Sequence, residues 1–275
     1  MPHFYSYQRV ELAMTLDENT IEAIKSGTLQ QEDTLKDKVI MVTGAGAGIG
    51  KAVAIACAQQ GATVILLGRT EQRLNQVYDD IENAGFPTPA IIPLDLKEAT
   101  KDNYIALAKS IQESLGHLDG IVHNAGVLGH LSPFEHIDEE VFDNVMQVNV
   151  KAELLLTQAM LPLLKKAPSP SMIFTSSSVG TKGKAFWASY AISKFATEGM
   201  MQILADEFDA KDLRVNTINP GATRTGMRAL AFPGENPETL ITPDTIAPLY
   251  TYLLSSLASE IHGQSINAQP RRKPS

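Results

Sequence analysis

The stretch Lys38-Val-Ile-Met-Val-Thr-Gly44, which continues as Ala-Gly-Ala-Gly-Ile-Gly50, decides the fold of this 275-residue chain. Its residues 39–42 form a short apolar, β-branched run, which is typical of a strand buried on both faces. A glycine-rich loop follows at once, and residues 52–60 then form a helix-favouring stretch. Strand, glycine loop and helix in this order aim backbone N–H groups and a helix N-terminus at a phosphate. The stretch therefore indicates a nucleotide-binding turn at the start of an α/β domain.

The spacing of the glycines distinguishes between types of nucleotide-binding loop. The common dinucleotide pattern Gly-x-Gly-x-x-Gly is not met, because Ile49 stands where the third glycine would follow Gly44 and Gly46. The pattern that is met is Thr43-Gly-x-x-x-Gly-x-Gly50. A plain strand-to-helix turn is the alternative interpretation of the same residues.

A second motif, Tyr190-Ala-Ile-Ser-Lys194, lies further along the chain. Residues four apart share one face of a helix, so the spacing predicts a phenol and an ammonium one turn apart. A phenol ordinarily titrates near ~10, and a nearby cation favours its phenolate form. Such a pair is suited to proton exchange with a substrate, although an isolated copy is equally typical of a helix surface.

Together the two motifs resemble the short-chain dehydrogenase/reductase family, whose signature is Thr-Gly-x-x-x-Gly-x-Gly followed by Tyr-x-x-x-Lys. The resemblance covers roughly residues 30 to 274. Within the family it extends to the bacterial YciK-like subgroup, through residues 123–129, 174–180, 193–201 and 219–225. It implies one doubly wound Rossmann domain of the α/β class, with a parallel sheet of about seven strands flanked by helices.

Apolar runs along the chain agree with that architecture. They occur at residues 39–42, 63–67, 90–94, 119–123, 171–175 and 214–218, with a last short strand expected within residues 263–267. Helical stretches lie between them, for example residues 71–84 and 138–165. This βαβ alternation predicts a mostly parallel sheet with helices on both faces.

The expected domain organisation has three parts. Residues 37–267 form the Rossmann domain, and residues 268–275 form a C-terminal tail whose basic residues Arg271, Arg272 and Lys273 are expected to be solvated. Residues 1–36 are expected to be a loosely ordered extension, with a short helix within residues 15–25 capped near Asp17.

The resemblance implies four catalytic residues: Asn149, Ser177, Tyr190 and Lys194. Tyr190 would exchange a proton with the substrate oxygen, and Lys194 would hold the nicotinamide ribose and support the phenolate. Ser177 would orient the substrate oxygen, with Ser178 as its nearest rival, and Asn149 would hold a water that links Lys194 to solvent.

The resemblance also implies which residues bind the dinucleotide. Several of them have a simpler interpretation as capping or turn residues. The implied cofactor-binding residues are Gly44, Gly48, Ile49, Gly50, Arg69, Asp95, Leu96, Asn124, Gly126, Tyr190, Lys194, Pro220, Gly221 and Thr225, and no metal is implied.

Cofactor choice depends on the end of the second strand. Members of the family that bind NAD carry an acidic residue where Gly68 stands, and Arg69 follows it here. An arginine suits a 2′-phosphate, which it binds with two N–H groups. The sequence therefore favours NADP (NADPH), and NAD is the alternative if Arg69 only faces solvent.

Substrate specificity is expected to come from residues 128–135 and 222–243, together with Trp187. Arg224 and Arg228 would either meet an acidic group of the substrate or form local salt bridges. The predicted function is an NADP-dependent oxidoreductase that interconverts a small-molecule carbonyl compound and an alcohol. The alternatives are an NAD-using alcohol dehydrogenase of the same family and a non-catalytic dinucleotide-binding sensor of the same fold.

Composition and net charge limit the kinds of binding partner and the compartment that we expect for this protein. The net charge of −8 argues against a broad basic face for nucleic acid. The single cysteine, Cys57, excludes a disulfide within the chain, which favours a reducing cytoplasm. No stretch has the pattern of a targeting signal or a membrane span. The resemblance implies a homodimer or homotetramer, formed through the outer face of the helix at residues 152–164.

Overall fold

A computed structural model describes residues 16–29 and 32–270, and in them seven strands form one parallel sheet. The sheet order is β3-β2-β1-β4-β5-β6-β7, and every neighbouring pair is parallel. This confirms the predicted sheet of about seven strands. The strands are β1 (Val39–Thr43), β2 (Thr63–Gly68), β3 (Ala90–Pro93), β4 (Gly120–His123), β5 (Ser171–Thr175), β6 (Arg214–Asn219) and β7 (Ser265–Asn267).

Helices connect the strands and cover both faces of the sheet. They are α1 (Glu18–Lys25), α2 (Gly48–Gln59), α3 (Glu71–Asn83), α4 (Lys101–Leu115), α5 (Glu139–Met146), α6 (Ala152–Leu164), α7 (Ala188–Glu207), α8 (Gly226–Ala231) and α9 (Pro243–Leu254). None of these helices combines the length and the apolarity needed to cross a membrane.

The sheet separates two apolar cores. Side chains alternate along β1, so Ile40 and Val42 enter the core beneath α2 and α9, while Met41 enters the core shared with α4 and α6. All five residues of β1 are buried, as predicted for a strand covered on both faces. Cys57 of α2 is fully buried, and burial raises the pKa of its thiol, so it behaves as a small apolar side chain.

The chain reverses its winding direction at β1, and this places the site. β1 pairs with β2 on one side and with β4 on the other, so the connections leave in opposite directions from this point. A crevice opens at the carboxyl ends of strands where the order reverses, and ligands of open α/β sheets bind there.

The helix predicted for residues 138–165 is interrupted. A π-helical turn, Gln147–Lys151, separates α5 from α6. Such turns insert one extra residue per turn and are frequent at functional sites. Here the turn contains Asn149, whose side chain bonds to the backbone of another segment, so the register shift serves a tertiary contact that helical periodicity does not reveal.

Part of the N-terminal extension is packed on the domain, in contrast to the loosely ordered segment expected. The predicted helix forms as α1, and Asp17 caps it by accepting a hydrogen bond from the Thr20 N–H at 2.7 Å. Ile21 and Ile24 are buried against the core that includes α9. Two apolar residues three apart are enough to dock one turn of helix, a signal too short to separate from chance in the sequence. The expectations for residues 1–15 and 271–275 lie outside the described residues.

Candidate active site

The loop after β1 is shaped by glycines at positions where a side chain does not fit. Gly44 and Gly48 have φ of 68° and 55°, in the left-handed region that favours glycine. A Cβ on Gly50 would collide with the carbonyl oxygen of Gly44 and the side-chain amide of Asn124. The loop can therefore fold back tightly before α2, which leaves the N-terminus of α2 facing the crevice.

Thr43 ties this loop to the end of β4. Its Oγ1 accepts hydrogen bonds from the N–H groups of Asn124 and Ala125 at 2.9 and 3.0 Å. Asn124 in turn donates its side-chain N–H to the Thr43 carbonyl at 3.1 Å. These bonds hold the two sides of the crevice together, which explains the pairing of Thr43 with Asn124 in the sequence patterns.

A cleft of about 400 Å³ opens at the ends of the first four strands. It brings together five of the residues implied by the sequence and further residues that sequence reasoning missed. The predicted residues that line it are Gly44, Arg69, Asp95, Leu96 and Gly126, and the missed residues include Gly46, Thr70, Arg73, Lys97 and Val148.

Arg69 and Arg73 make one side of this cleft cationic. Both side chains are exposed, and no ion pair formed within residues 16–29 and 32–270 uses either of them. They are four residues apart where the chain passes from β2 into α3, so both lie at the same edge of the cleft. The four-residue spacing of Arg69 and Arg73 can be read directly from the sequence. The last residue of β2 is Gly68 and not an acidic residue, so the edge suits an anion.

Asn149 is fully buried in the π-helical turn and bonds in three directions. Its Oδ1 accepts the Val127 N–H at 2.8 Å, and its Nδ2 donates to the Val127 carbonyl at 2.9 Å and to Ser193 Oγ at 3.0 Å. Ser193 Oγ then donates to the Tyr190 carbonyl at 2.8 Å. Asn149 thus connects the loop after β4 to the first turns of α7.

Tyr190 and Lys194 lie on one face of α7, as the spacing predicts. The Lys194 ammonium lies 5.9 Å from the centroid of the Tyr190 ring and donates a hydrogen bond to the Thr175 carbonyl at 2.8 Å. Both side chains are largely buried, at 8% and 3% exposure. The fold thus places an ammonium beside a buried phenol.

The three consecutive serines after β5 have different surroundings. Ser177 is half-buried, and its Oγ faces the Val179 N–H at 3.5 Å at the start of a short turn that packs against α7. Ser178 is exposed, and Ser176 is buried with an Oγ that has no partner among the described residues. The half-buried position of Ser177 is compatible with contact to a substrate, whereas Ser178 faces solvent.

The remaining residues implied for cofactor binding lie on the other side of the glycine loop. Gly48 and Thr225 line a second cleft of about 450 Å³ between α2 and α8. Thr225 also caps α8 through the Arg228 N–H at 3.1 Å. Pro220 and Gly221 lie in a turn that Gln269 holds by donating its side-chain N–H groups to the carbonyls of Pro220 and Ala222. Ile49 is half-buried against the core beneath α2.

Two buried titratable groups sit behind Lys194. Burial and the charge of Lys194 lower the pKa of His123 to about 3, so this histidine is neutral and bonds to Thr157 Oγ1 at 3.0 Å. Burial raises the pKa of Glu153 to about 7, against the opposing effects of Lys194 and a hydrogen bond from Thr197. Neither residue was identified from the sequence. Among the described residues no cluster of His, Cys, Asp and Glu suits a metal ion.

The two segments expected to control specificity meet at Trp187. Ser132 forms an isolated bridge with Trp187, and the ring of Trp187 is 5.9 Å from that of Phe232. Arg224 and Arg228 form local salt bridges, which is one of the two alternatives expected from the sequence. Arg228 forms a two-bond ion pair with Glu235 at 2.6 and 2.8 Å, and Arg224 pairs with Glu238 at 3.2 Å.

Comparisons with known proteins agree with this geometry. The family model described as short chain dehydrogenase matches residues 38–236. An uncharacterized oxidoreductase of Escherichia coli K12, YciK, is 51% identical over 244 residues, which cover 89% of this chain and 96% of that protein.

Solved structures show the same similarity. A short chain dehydrogenase from Shigella flexneri 2a in complex with NADP has a TM-score of 0.85 and 50% identity, over 87% of this chain and 100% of that chain. A short chain dehydrogenase from Escherichia coli CFT073 in complex with NADPH has a TM-score of 0.86 and 50% identity, over 88% and 100%. With the strand-end cleft, the glycine loop and the Tyr190–Lys194 pair, these similarities show that the chain belongs to the short chain dehydrogenase family of oxidoreductases.

Proposed function

We propose that this protein is an NADP-dependent oxidoreductase that transfers a hydride between the nicotinamide and a carbonyl compound or secondary alcohol. The observation that carries the proposal is the buried pair of Tyr190 and Lys194 next to the strand-end crevice. A protein that only bound a dinucleotide would have no use for a phenol supported by an ammonium.

The residues around the crevice fit a phosphorylated dinucleotide. Gly44, Asp95 and Leu96 line the cleft at the ends of β1 and β3, where the adenosine half would lie. Arg69 and Arg73 would bind the 2′-phosphate with their N–H groups. The complexes of similar dehydrogenases with NADP and NADPH support this choice. When bound, the nicotinamide supplies or accepts the hydride.

The chain's own residues manage orientation and the proton. Tyr190 Oη would donate a proton to the carbonyl oxygen in reduction and accept it in oxidation. Lys194 would stabilise the phenolate and, on turning from the Thr175 carbonyl, bind the nicotinamide ribose. Ser177 would donate a hydrogen bond to the substrate oxygen and fix its position. Asn149, held in the π-helical turn, would bind a water that connects Lys194 to solvent.

Two alternatives remain distinct from this proposal. An NAD-using alcohol dehydrogenase would use NADH as efficiently as NADPH. A non-catalytic sensor would bind the dinucleotide without oxidising it. Arg69 and Arg73, which form no ion pair with any other residue that the structure describes, disfavour the first alternative. The full set of Asn149, Ser177, Tyr190 and Lys194 disfavours the second.

We propose a homodimer or homotetramer formed through the outer faces of α6 and α7. Leu154 on α6 and Phe195 and Ile203 on α7 are large apolar side chains with 44%, 46% and 59% exposure. Exposed large apolar side chains on the two helices are suited to burial against a second copy of the chain. A Phe195→Glu variant that keeps the mass of the wild-type assembly in light scattering would argue against an interface on this face of α6 and α7.

We also propose a cytoplasmic location, supported by a single buried cysteine.

A cofactor and substrate panel tests the proposed function. Purified protein is assayed with NADPH and with NADH against aldehydes, ketones and quinones, and binding of each cofactor is measured by calorimetry. NADPH oxidation at least about 10-fold more efficient than NADH oxidation is expected. Tight NADPH binding without oxidation across the panel would favour the sensor, and equal use of both cofactors would favour the NAD-using enzyme.

A further inference from the structure

Three segments of the chain meet beside the phenol of Tyr190. The ring of Trp187 lies 5.9 Å from the rings of both Tyr190 and Phe232. Ser132 donates its N–H to the Phe186 carbonyl at 3.0 Å. The loop after β4, the residues before α7, and α8 with the Phe232 that follows it therefore build one wall around the reacting position, and Trp187 in the second segment contacts the other two.

The immediate surroundings of Tyr190 are apolar. Leu128, Val179 and Ala191 are buried with it, and Trp187, Met227 and Ala231 pack against that cluster. A substrate oxygen placed at Tyr190 would carry its substituents into contact with these side chains. Apolar surface gains about 25 cal/mol per Å² on leaving water, so the wall favours a large apolar substituent.

Large apolar side chains also remain exposed on the segments that form the wall. Leu131, Phe134, Phe186 and Leu230 have 37%, 82%, 62% and 75% exposure. Phe186 and Ala188 have φ of 71° and 42°, a conformation that costs about 1–2 kcal/mol for residues with a Cβ. Backbone strain of this kind is found at ligand sites, and here it fixes Trp187 between the two residues.

The nearby cations of the lid segment, residues 222–243, are already neutralised. Arg228 is paired with Glu235 by two bonds and also lies over the Phe232 ring at 3.7 Å. Arg224 is paired with Glu238. The Lys184 ammonium lies 6.0 Å from the centroid of the Trp187 ring. Lys184 is exposed, so water screens its charge. A carboxylate on the substrate would have to displace Glu235 to reach Arg228.

We infer that the substrate is a ketone or aldehyde with a bulky aromatic or alicyclic group and no carboxylate next to the carbonyl. The inference rests on the proposed function and adds the substrate class. The reduction consumes one NADPH and one proton and yields the alcohol and NADP⁺. Trp187 and Phe232 are the residues that determine this specificity.

Two ketones that share one aromatic group but differ in charge test the inference. Methyl benzoylformate and benzoylformate share the aromatic ketone and differ in the negative charge. We expect kcat/KM for the ester to exceed that for the acid by about 10-fold or more. The small diketone 2,3-butanedione shows whether any carbonyl is reduced: if none of the three is reduced, the proposed function fails. If butanedione is reduced but the acid matches or exceeds the ester, the substrate class alone is wrong.

Two variants link the preference to the wall. Trp187→Ala should lower kcat/KM for the ester at least about 10-fold and lower that for butanedione by a clearly smaller factor. Glu235→Gln, which releases Arg228 from its partner, should raise kcat/KM for the acid. Ile105→Ala removes an exposed apolar side chain on α4 and serves as the control. Equal losses for the ester and butanedione in Trp187→Ala would overturn the assignment.

A second, independent observation concerns Glu153, which is buried behind Lys194. The side chain is 3% exposed, its Oε2 accepts from Thr197 Oγ1 at 3.0 Å, and its Oε1 has no partner among the described residues. It follows Asn149 by one helical turn, and its charge interacts with that of Lys194. Glu198, also on α7, is a second buried glutamate, but it bonds to Thr217 and Ser265.

The titratable groups on the elements around Glu153 leave Lys194 as its main charged partner. His123 on β4 is held neutral because burial and Lys194 lower its pKa. Tyr104 on α4, which packs against α6, is neutral because burial raises its pKa to about 12. On α7, Tyr190 lies next to Lys194, and Glu198 lies one turn beyond Lys194 with its carboxylate bonded to Thr217 and Ser265. A carboxylate at Glu153 therefore opposes the field of Lys194 directly.

We propose that Glu153 is a positioning residue that tunes the charge of the Tyr190–Lys194 pair through Lys194. An ionised Glu153 offsets part of the positive field that stabilises the Tyr190 phenolate. Loss of its charge leaves that field stronger, so the phenolate forms at lower pH. In the reduction direction, which needs a protonated Tyr190, activity would then decline at lower pH.

The pH profile of kcat/KM for reduction of 2,3-butanedione by NADPH tests this role. In Glu153→Gln the alkaline decline should move to lower pH by about 0.5–1 unit, since Glu153 acts on the phenol only indirectly, through Lys194. Glu198→Gln is the matched control and should keep the wild-type midpoint. An unchanged midpoint in folded Glu153→Gln, or an equal shift in both variants, would overturn the proposal.

Discussion

Asn149 holds the backbone of Val127 from both sides, accepting its N–H at 2.8 Å and donating to its carbonyl at 2.9 Å. The same side chain reaches Ser193, on the helix that carries Tyr190. The loop after β4 and the start of α7 are thereby fixed to each other through one buried amide, which couples the geometry of the strand-end cleft to the position of the Tyr190 phenol.

Replacement of Asn149 by leucine should destabilise the protein and impair the site. The change leaves the Val127 N–H and carbonyl without their partner in a buried place, so the free energy of unfolding should fall by about 2–4 kcal/mol. Urea unfolding measures it, with Asn83→Leu as a control because Asn83 is exposed at the end of α3. Equal stability of the two variants would show that the amide does not hold the loop.

Replacement of both Arg69 and Arg73 by serine should weaken NADPH binding by about 10–100-fold and leave NADH binding unchanged. Each guanidinium would otherwise contribute charge-assisted bonds to the 2′-phosphate, which NADH lacks. Calorimetric titration with both cofactors measures the effect. Lys101→Ser, which removes an exposed cation on α4, should bind both as the wild type does. A parallel loss of NADH affinity would mean that the arginines act on the fold and not on the phosphate.

Replacement of Gly68 by aspartate together with Arg69 by isoleucine should shift the preference toward NADH. The new carboxylate accepts hydrogen bonds from the ribose 2′-hydroxyl and repels a 2′-phosphate. A Cβ at Gly68 comes within 3.1 Å of Leu74 Cδ2, the end of a flexible side chain, so a small displacement accommodates it. The ratio of kcat/KM for NADPH to that for NADH should fall at least about 10-fold. A folded double variant that retains the wild-type ratio would contradict the placement of the ribose.

The predictable parts of the fold and site are those with local sequence signals. The strand ending in Thr43, the glycine loop and the Tyr190–Lys194 spacing are each readable because one short segment determines the backbone. The sheet order follows from βαβ alternation and right-handed crossovers.

The parts that sequence reasoning missed depend on contacts between distant segments. The π-helical turn at Asn149 exists because the amide meets Val127, which lies 22 residues earlier in the chain. The docking of α1 depends on Ile21 and Ile24 reaching a core built largely by later residues. The pairing of Arg228 with Glu235 was one of two open alternatives, and only the fold of the lid segment decides between them.

Stability should decline in mild acid because of His123. Its folded pKa, about 3, lies below the ordinary value of 6.5, so the unfolded chain binds more protons between these values. The stabilisation is therefore complete above pH 6.5 and is lost as the pH falls toward 3. Between pH 6.5 and 5 this group should contribute a loss of about 2 kcal/mol in the free energy of unfolding.

The comparison with His123→Gln isolates that contribution. Glutamine can keep a hydrogen bond to Thr157 but does not titrate, so the variant should show a shallower loss over the same pH range in urea unfolding. Its stability at pH 7.5 should be lower, because the stacking of His123 on Phe174 is lost. Identical slopes for the two proteins would exclude His123 as the source.

The most direct test of the account is the Tyr190→Phe variant, compared with the wild type and with Tyr78→Phe, which changes a tyrosine on α3. NADPH affinity is measured by calorimetry, and turnover of a ketone that the wild type reduces is followed by loss of NADPH absorbance. We expect NADPH affinity within about threefold of the wild type and a fall in kcat of about 10²–10⁴-fold, because only the proton donor is removed. Wild-type turnover in folded Tyr190→Phe would contradict this expectation.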